Sequence, residues 1–413
     1  MLRAAMATAA APLAAPAAAP PGAGRALAIV SIATLLGMAL WFVGSALMPQ
    51  LTAQWHLTPA RAGWLTTAVQ LGFVAGTALA AVLNLGDLIS PRAMFAVSAS
   101  AAALANAALL ATGDFGATLA TRFLVGLCLA GVYPPAMKMM ATWYRGGRGL
   151  AIGTVVGALT IGKATPFLVH AFAASHGATV VRLASGGALA GALLVALLYR
   201  DGPFTFERRP FSWSLVGAVG GDRRSRLAIA GYLGHMWELY AMWTWLPTFL
   251  AASLVAHSGA LASSTRASAD LMGFAAIAAG GLGCVWGGWA ARDHGYARVV
   301  TWSMLASGAC ALVIGAAFGG ATWLMLLLAG VWGFFVVADS AQFSALVTEV
   351  APPHAVGTAL MLQTSLGFLL TLVTIQLVPV LAAALGWRWA FPVLALGPAF
   401  GVAAIARLPR TDA

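Results

Sequence analysis

Charge is scarce in this chain: Asp, Glu, Lys and Arg make up 8% of the 413 residues, and only 11 of them are acidic. Soluble domains carry about 25% charged residues. A surface facing water all round cannot be assembled from so few, which excludes a soluble globular protein. Cysteine is nearly absent too. Cys128, Cys284 and Cys310 form an odd set inside apolar sequence, with neither disulfide nor metal-ligand spacing, and read as small packing residues. There is no phosphate-cradling loop ending in Lys-Ser/Thr, no nucleophile elbow and no zinc pattern, so the chain reads as a non-enzyme with no cofactor and no metal. A dedicated ion filter is missing as well, which weighs against a channel.

What is abundant decides the class. Hydrophobic residues make up 61% of the chain, there are 47 glycines, and the mean hydropathy is +0.90. Such a chain belongs in a membrane, where about 20 helical residues make one crossing and Gly and Pro are tolerated. Apolar runs fall at 26–48, 60–84, 91–112, 116–139, 149–172, 178–199, 227–252, 268–291, 299–318, 321–346, 355–380 and 387–406. The expectation is an all-α membrane protein of twelve transmembrane helices. Small residues spaced four apart, as in Gly72, Gly76 and Ala80 or Gly153 and Gly157, are where helices come close in lipid.

The polar stretch Arg200–Arg226 divides these runs into six and six. Similar residues recur across it at similar offsets: Arg25 opens the first run and Arg226 the seventh, and Asp87 with Arg92 is echoed by Asp293 with Arg298. The expected organisation is a flexible cytoplasmic tail at 1–24, a six-helix unit at 25–199, a cytoplasmic connector at 200–226, a second six-helix unit at 227–407 and a short tail at 408–413. A signal peptide competes for the first segment, although its prolines interrupt any apolar core. The formal charge of +11 raises the question of nucleic acid. The basic residues, however, sit at the ends of apolar runs, where they set topology. With the connector in the cytoplasm, most of the 22 Lys and Arg fall on that side. Both termini are therefore expected inside a bacterial inner membrane.

The loop Gly86-Asp87 through Arg92, the pattern Arg122-Phe-Leu-Val-Gly126 with Gly131, the stretch Trp143-Tyr-Arg145-Gly-Gly-Arg148-Gly-Leu-Ala-Ile-Gly153, and Gly386-Trp387-Arg388-Trp389-Ala390-Phe391 together resemble the major facilitator superfamily of secondary transporters. The resemblance runs from Arg25 to Arg407. It implies two pseudo-symmetric six-helix bundles rocking about a central site. The loop departs from the family pattern, with Leu83, Leu88 and Ser90 where Gly, Arg and Gly are usual, and Arg292 and Asp293 stand in exchanged order. The resemblance makes Asp87, Arg92, Arg145, Arg148, Asp293 and Arg298 candidates for a cytoplasmic gate.

Charges within the apolar runs carry the functional expectation, because an ion in hydrocarbon needs a cavity or a partner. Lys163, between Gly162 and Pro166, is the candidate anion site, with a structural ion pair as the alternative. Glu238 and Asp339 are candidates for a coupled proton, since a carboxyl group removed from water is easier to protonate and one beside a cation is harder. Arg122 matches the family's fourth-span arginine. Tyr240, Trp243 and Gln342 are candidate cavity walls. His170 and His176 lack metal spacing. The reading is secondary transport of a small organic or inorganic anion by a monomer, driven by its own gradient or a coupled proton. Export of an amphipathic or cationic compound stays open as the alternative.

Overall fold

The computed structural model describes residues 19–145, 148–172, 177–204, 213–259 and 263–409. Most of the 1–24 tail, residues 205–212 of the connector, His176 and the side chains of Asp87 and Arg148 lie outside the described residues. Every element among the described residues is helical. In chain order the helices used below are α1 (Ala23–Met38), α2 (Met48–Trp55), α3 (Pro59–Val82), α4 (Pro91–Ala107), α5 (Phe115–Leu129), α6 (Tyr133–Ala141), α7 (Arg148–Phe172), α8 (Gly177–Leu198), α9 (Trp213–Gly221), α10 (Arg223–Ser258), α11 (Ser263–His294), α12 (Tyr296–Val313), α13 (Thr322–Ala338), α14 (Ser340–Val350), α15 (Val356–Leu385) and α16 (Leu396–Ile405).

Eleven helical stretches among the described residues are long and apolar enough to cross a membrane. The expected span at 26–48 is the exception. It is not one helix: α1 stops after 16 residues, the chain turns at 39–42, and short helices resume at Val43–Ala46 and at α2. Three other stretches are interrupted, one of them the last, where a turn at 390–391 separates two short 3-10 segments before α16. Residues 130–132 separate α5 from α6, where Pro134 and Pro135 cannot extend the preceding helix but suit the first turn of a new one. Asp339 separates α13 from α14, and its carbonyl accepts the first bond of α14, from Phe343 N at 2.9 Å.

Packing repeats between the two halves of the chain. In the first half α3 lies on α5 so closely that a Cβ at Gly72 would stand 2.0 Å from the Phe123 carbonyl oxygen, and one at Gly126 2.0 Å from that of Val69. In the second half α11 lies on α13 in the same way, with a Cβ at Gly333 only 1.8 Å from the Ala276 carbonyl oxygen. The halves meet along α7 against α11 and α3 against α15. There Gly153 and Gly157 face the carbonyls of Cys284 and Gly281, with Cβ distances of 2.9 and 2.8 Å. Of the small residues picked out by their spacing, Gly72, Gly76, Gly153 and Gly157 all stand at close backbone approaches. Cys284 and Cys310 are buried, Cys128 is half-buried, and all three are free thiols.

Adding one methyl group at Gly126 forces α3 and α5 apart. Overpacking of this kind costs about 1–3 kcal/mol. Gly126→Ala is expected to lower the thermal unfolding midpoint in detergent, while Leu124→Ala, on an exposed position two residues away, leaves it nearly unchanged.

Candidate functional site

The interruptions at 39–42, 130–132 and 339 border one cavity. It measures about 50 Å³ and is lined by Trp41 from the 39–42 turn, Tyr133 at the start of α6, Ser340 at the start of α14, and residues of α1, α3, α7, α10, α13 and α15. Non-helical backbone in a membrane is tolerated where protein or a cavity shelters it, because its polar groups need partners that lipid lacks. Arg122 supplies those partners at the first break. Its guanidinium, fully buried, donates to the carbonyls of Leu40 (2.8 Å) and Trp41 (2.6 Å) and to Asn106 Oδ1 (3.0 Å), and Asn106 passes the chain on to Ser185 Oγ (3.0 Å). Arg122 thereby fixes the turn that presents Trp41 and Phe42 to the centre.

Among the described residues, Lys163, on α7, is the one charged residue in the cavity wall. It is 2% exposed, and no carboxylate among the described residues pairs with it. Its ammonium donates to Tyr240 Oη and lies over three rings, 4.0 Å from the centre of Trp41, 4.6 Å from that of Tyr240 and 5.3 Å from that of Trp243. Each such contact contributes about 0.5–2 kcal/mol, which offsets part of the cost of a buried cation. The indole N–H groups of Trp41 and Trp243 are buried without an acceptor. Phe73 and Phe368 close the ring wall, 4.7 Å apart between centres and packed on Trp41 and Tyr240. The centre is therefore rich in donors and aromatic faces and has no acid.

Glu238 and Asp339 lie behind this wall, within the second half. Glu238, on α10, accepts from Trp332 Nε1 (2.6 Å) and Ser307 Oγ (2.8 Å), and is 1% exposed. Asp339 Oδ1 stands 2.9 Å from His235 Nδ1, both residues buried, though off the line of a straight hydrogen bond. Gln342 is buried on α14 with its amide nitrogen unpartnered. Tyr240 and Trp243 are the wall aromatics the sequence singled out; Trp41, Phe73 and Phe368 escaped it, because nothing in an apolar run separates a cavity aromatic from a packing one.

The face carrying Arg200–Phe204, here the connector face, holds the expected gate residues. Arg92 donates to the Ala196 carbonyl, Arg145 lies over the Phe204 ring at 4.6 Å, and Asp293 and Arg298 are exposed. On the opposite face the halves are tied by side chains. His170 Nδ1, at the end of α7, is 2.7 Å from Asp270 Oδ2 on α11; Gln50 Nε2 stands 3.3 Å from His170 Nε2, and Gln376 donates to Thr67 Oγ1 at 3.1 Å. His170 and Asp270 are buried. Asp270 could have been noticed in the sequence, as an acid just inside the run beginning at 268.

A family model described as the Major Facilitator Superfamily matches residues 29–282. A niacin transporter, NiaP, of Acinetobacter baylyi is 36% identical over 99 residues, a stretch that covers 24% of this chain and only 22% of that relative. Among solved structures, the nucleoside transporter NupG superposes with a TM-score of 0.69 at 15% identity, covering 94% of this chain and all of that one. A bacterial homologue of the human lysosomal transporter Spinster, described as inward-facing and unoccupied, superposes at 0.67 and 15% identity, covering 95% of each. Both structural likenesses speak for the fold alone.

The opposite-face ties generate a prediction. Asp270→Asn removes the charge His170 faces and weakens closure at that end, so a cysteine introduced at the neighbouring buried Ala269 is expected to react faster with an impermeant thiol reagent than in a background with Asp270 intact. Equal labelling rates would separate the pair from closure of that face.

Proposed function

The chain belongs to the major facilitator superfamily of secondary transporters, and from that membership we propose that its cargo is a small organic monoanion bound at Lys163. It is a multi-pass membrane protein that moves a small solute by alternating access. In our reading it does so as a monomer in the bacterial inner membrane, with twelve crossings in two bundles. The interrupted stretch from α1 to α2 supplies the first crossing, and both termini lie in the cytoplasm on the connector face. The cargo moves down its own gradient or with a coupled proton.

One observation carries the choice of an anion. Around the cavity, Lys163 contributes an ammonium without a carboxylate partner, and the indole N–H groups of Trp41 and Trp243 lack acceptors. Buried donors in excess call for an acceptor from outside the chain. A single cation suits a single negative charge, and the rings of Trp41, Phe73, Tyr240, Trp243 and Phe368 suit an apolar or aromatic body attached to it. Niacin, the cargo in the name of the Acinetobacter relative, is a carboxylate on an aromatic ring and fits that description. A cationic cargo would meet Lys163 at the centre with Glu238 and Asp339 outside the wall. The cavity of about 50 Å³ has room for a few waters, since one needs about 10–15 Å³. Cargo entry therefore requires the halves to part.

A hydrogen bond to a charged group contributes about 1.5–3 kcal/mol, so Lys163→Ala is expected to weaken anion binding by roughly 10- to 100-fold. Thermal shifts of the purified protein with nicotinate, benzoate, succinate, phosphate and tetraphenylphosphonium, followed by flux in proteoliposomes, test this. The expected result is stabilisation of the wild type by the aromatic monocarboxylates and a smaller shift in the variant. Stabilisation and flux of tetraphenylphosphonium alone, equal in both proteins, would overturn the anion reading.

A further inference from the structure

We infer that the coupling proton is held by the His235–Asp339 pair at the break between α13 and α14, and not by Glu238. The inference rests on the proposed transport of an anion with a proton, and it assigns the proton a place.

The two buried acids of the second half are served differently. Both oxygens of Glu238 have a well-placed neutral donor, Trp332 Nε1 at 2.6 Å and Ser307 Oγ at 2.8 Å. Donors aimed at both oxygens satisfy the Glu238 carboxyl group and fix its orientation. Asp339 has one side-chain donor, His235, and its own backbone amide. Its Oδ1 has His235 Nδ1 at 2.9 Å in a poor direction and is left without a proper hydrogen bond. The surroundings are under-satisfied as well. His235 Nε2 and Gln342 Nε2 are buried without partners, both on residues 1% exposed, and Gln342 Nε2 and the Ala338 carbonyl both border Gly287 at the break. A buried polar cluster with orphan donors and acceptors is one that changes its protonation or takes up water in the working cycle.

The groups within reach of Asp339 come from several helices. From α10 they are Tyr232, His235 and Glu238, and from α11 Cys284; Tyr133 of α6 lies beside Tyr232 and Cys284. In the proposed cycle the Asp339 carboxylate, beside His235, gains one proton and releases it. Its chain neighbours reach the cavity: Tyr232 and Met236 flank His235, Val337 and Ser340 flank Asp339, and all four line the wall that also holds Lys163. One layer of side chains thus separates proton from anion.

The break gives the proton mechanical reach. A carboxylate at the start of α14 is favoured by the positive end of that helix, an attraction lost on protonation. α14 packs against α7 of the other half as well as against α10. A change of charge at Asp339 is therefore felt at the seam beside Lys163.

Two measurements on the full-length protein test the assignment. Infrared difference spectra recorded during a pH titration, which need no cargo, are expected to show a protonated-carboxyl band in the wild type. That band should vanish in Asp339→Asn, shift in His235→Gln and persist in Glu238→Gln. In proteoliposomes carrying a pH gradient, with nicotinate and benzoate as probes, Asp339→Asn is expected to lose accumulation to a far greater extent than counterflow exchange, and His235→Gln to displace the pH profile of accumulation. A band that disappears in Glu238→Gln and stays in Asp339→Asn, or one that none of the three substitutions alters, overturns the inference. If the wild type transports neither probe, the cargo reading fails, while the infrared result still decides where the proton sits.

Discussion

The structure depends on one constraint: a backbone interrupted inside a membrane must find partners for its freed carbonyls and amides. Arg122 meets that constraint at the first break, where its guanidinium takes the carbonyls of Leu40 and Trp41. A lysine could reach one of them but could not present a planar fork to several acceptors at once. The turn held in this way carries Trp41 and Phe42 against Tyr240, at 5.7 and 6.4 Å between ring centres. The aromatic wall of the second half is thus met by a piece of the first that no continuous helix could present. Through the turn, a residue that makes no contact with the cavity determines its shape.

Four of the buried charged groups, all but Asp270, are accommodated in four ways. Arg122 rests on carbonyl oxygens, Lys163 on aromatic faces, Glu238 on two neutral donors, and Asp339 on an imidazole in an imperfect direction. Isolated ions removed from water cost several kcal/mol even after the protein relaxes. The quality of each arrangement therefore indicates what each group is free to do. Both oxygens of Glu238 are engaged, and so are both terminal nitrogens of Arg122, whose Nε is buried without a partner. Lys163 has no carboxylate partner among the described residues and Asp339 Oδ1 has no proper hydrogen bond, and they lie on either side of the same wall.

The sequence read the class, the helix count apart from the first stretch, and the close-packing glycines, because hydropathy and small-residue spacing act over single helices. It also named Lys163, Tyr240 and Trp243, which the fold brings together across the two halves. It read Arg122 and Glu238 as candidate residues of the transport site, and their hydrogen bonds are made to the 39–42 turn and to Trp332 and Ser307. The rest was hidden for physical reasons. No local pattern in Ala39-Leu40-Trp41-Phe42 distinguishes a turn from a helix; the turn exists because Arg122, more than 80 residues away, satisfies it. The tie of His170 to Asp270 is likewise a fact of tertiary structure, made between residues 100 positions apart.

The contacts within and between the halves differ in a way that bears on alternating access. Inside each half, backbones approach until a Cβ would lie 1.8–2.0 Å from a carbonyl oxygen, as at Gly333, Gly72 and Gly126. Such contacts leave no room for sliding, so α3 with α5 and α11 with α13 move as units. Across the seam the corresponding distances relax to 2.8 and 2.9 Å at Gly157 and Gly153. Closure at the far end there relies on hydrogen bonds, His170 to Asp270 and Gln376 to Thr67. Hydrogen bonds exchange readily with water once separated, whereas interlocked backbones do not. The seam is therefore where the structure yields first, and it runs directly past Lys163.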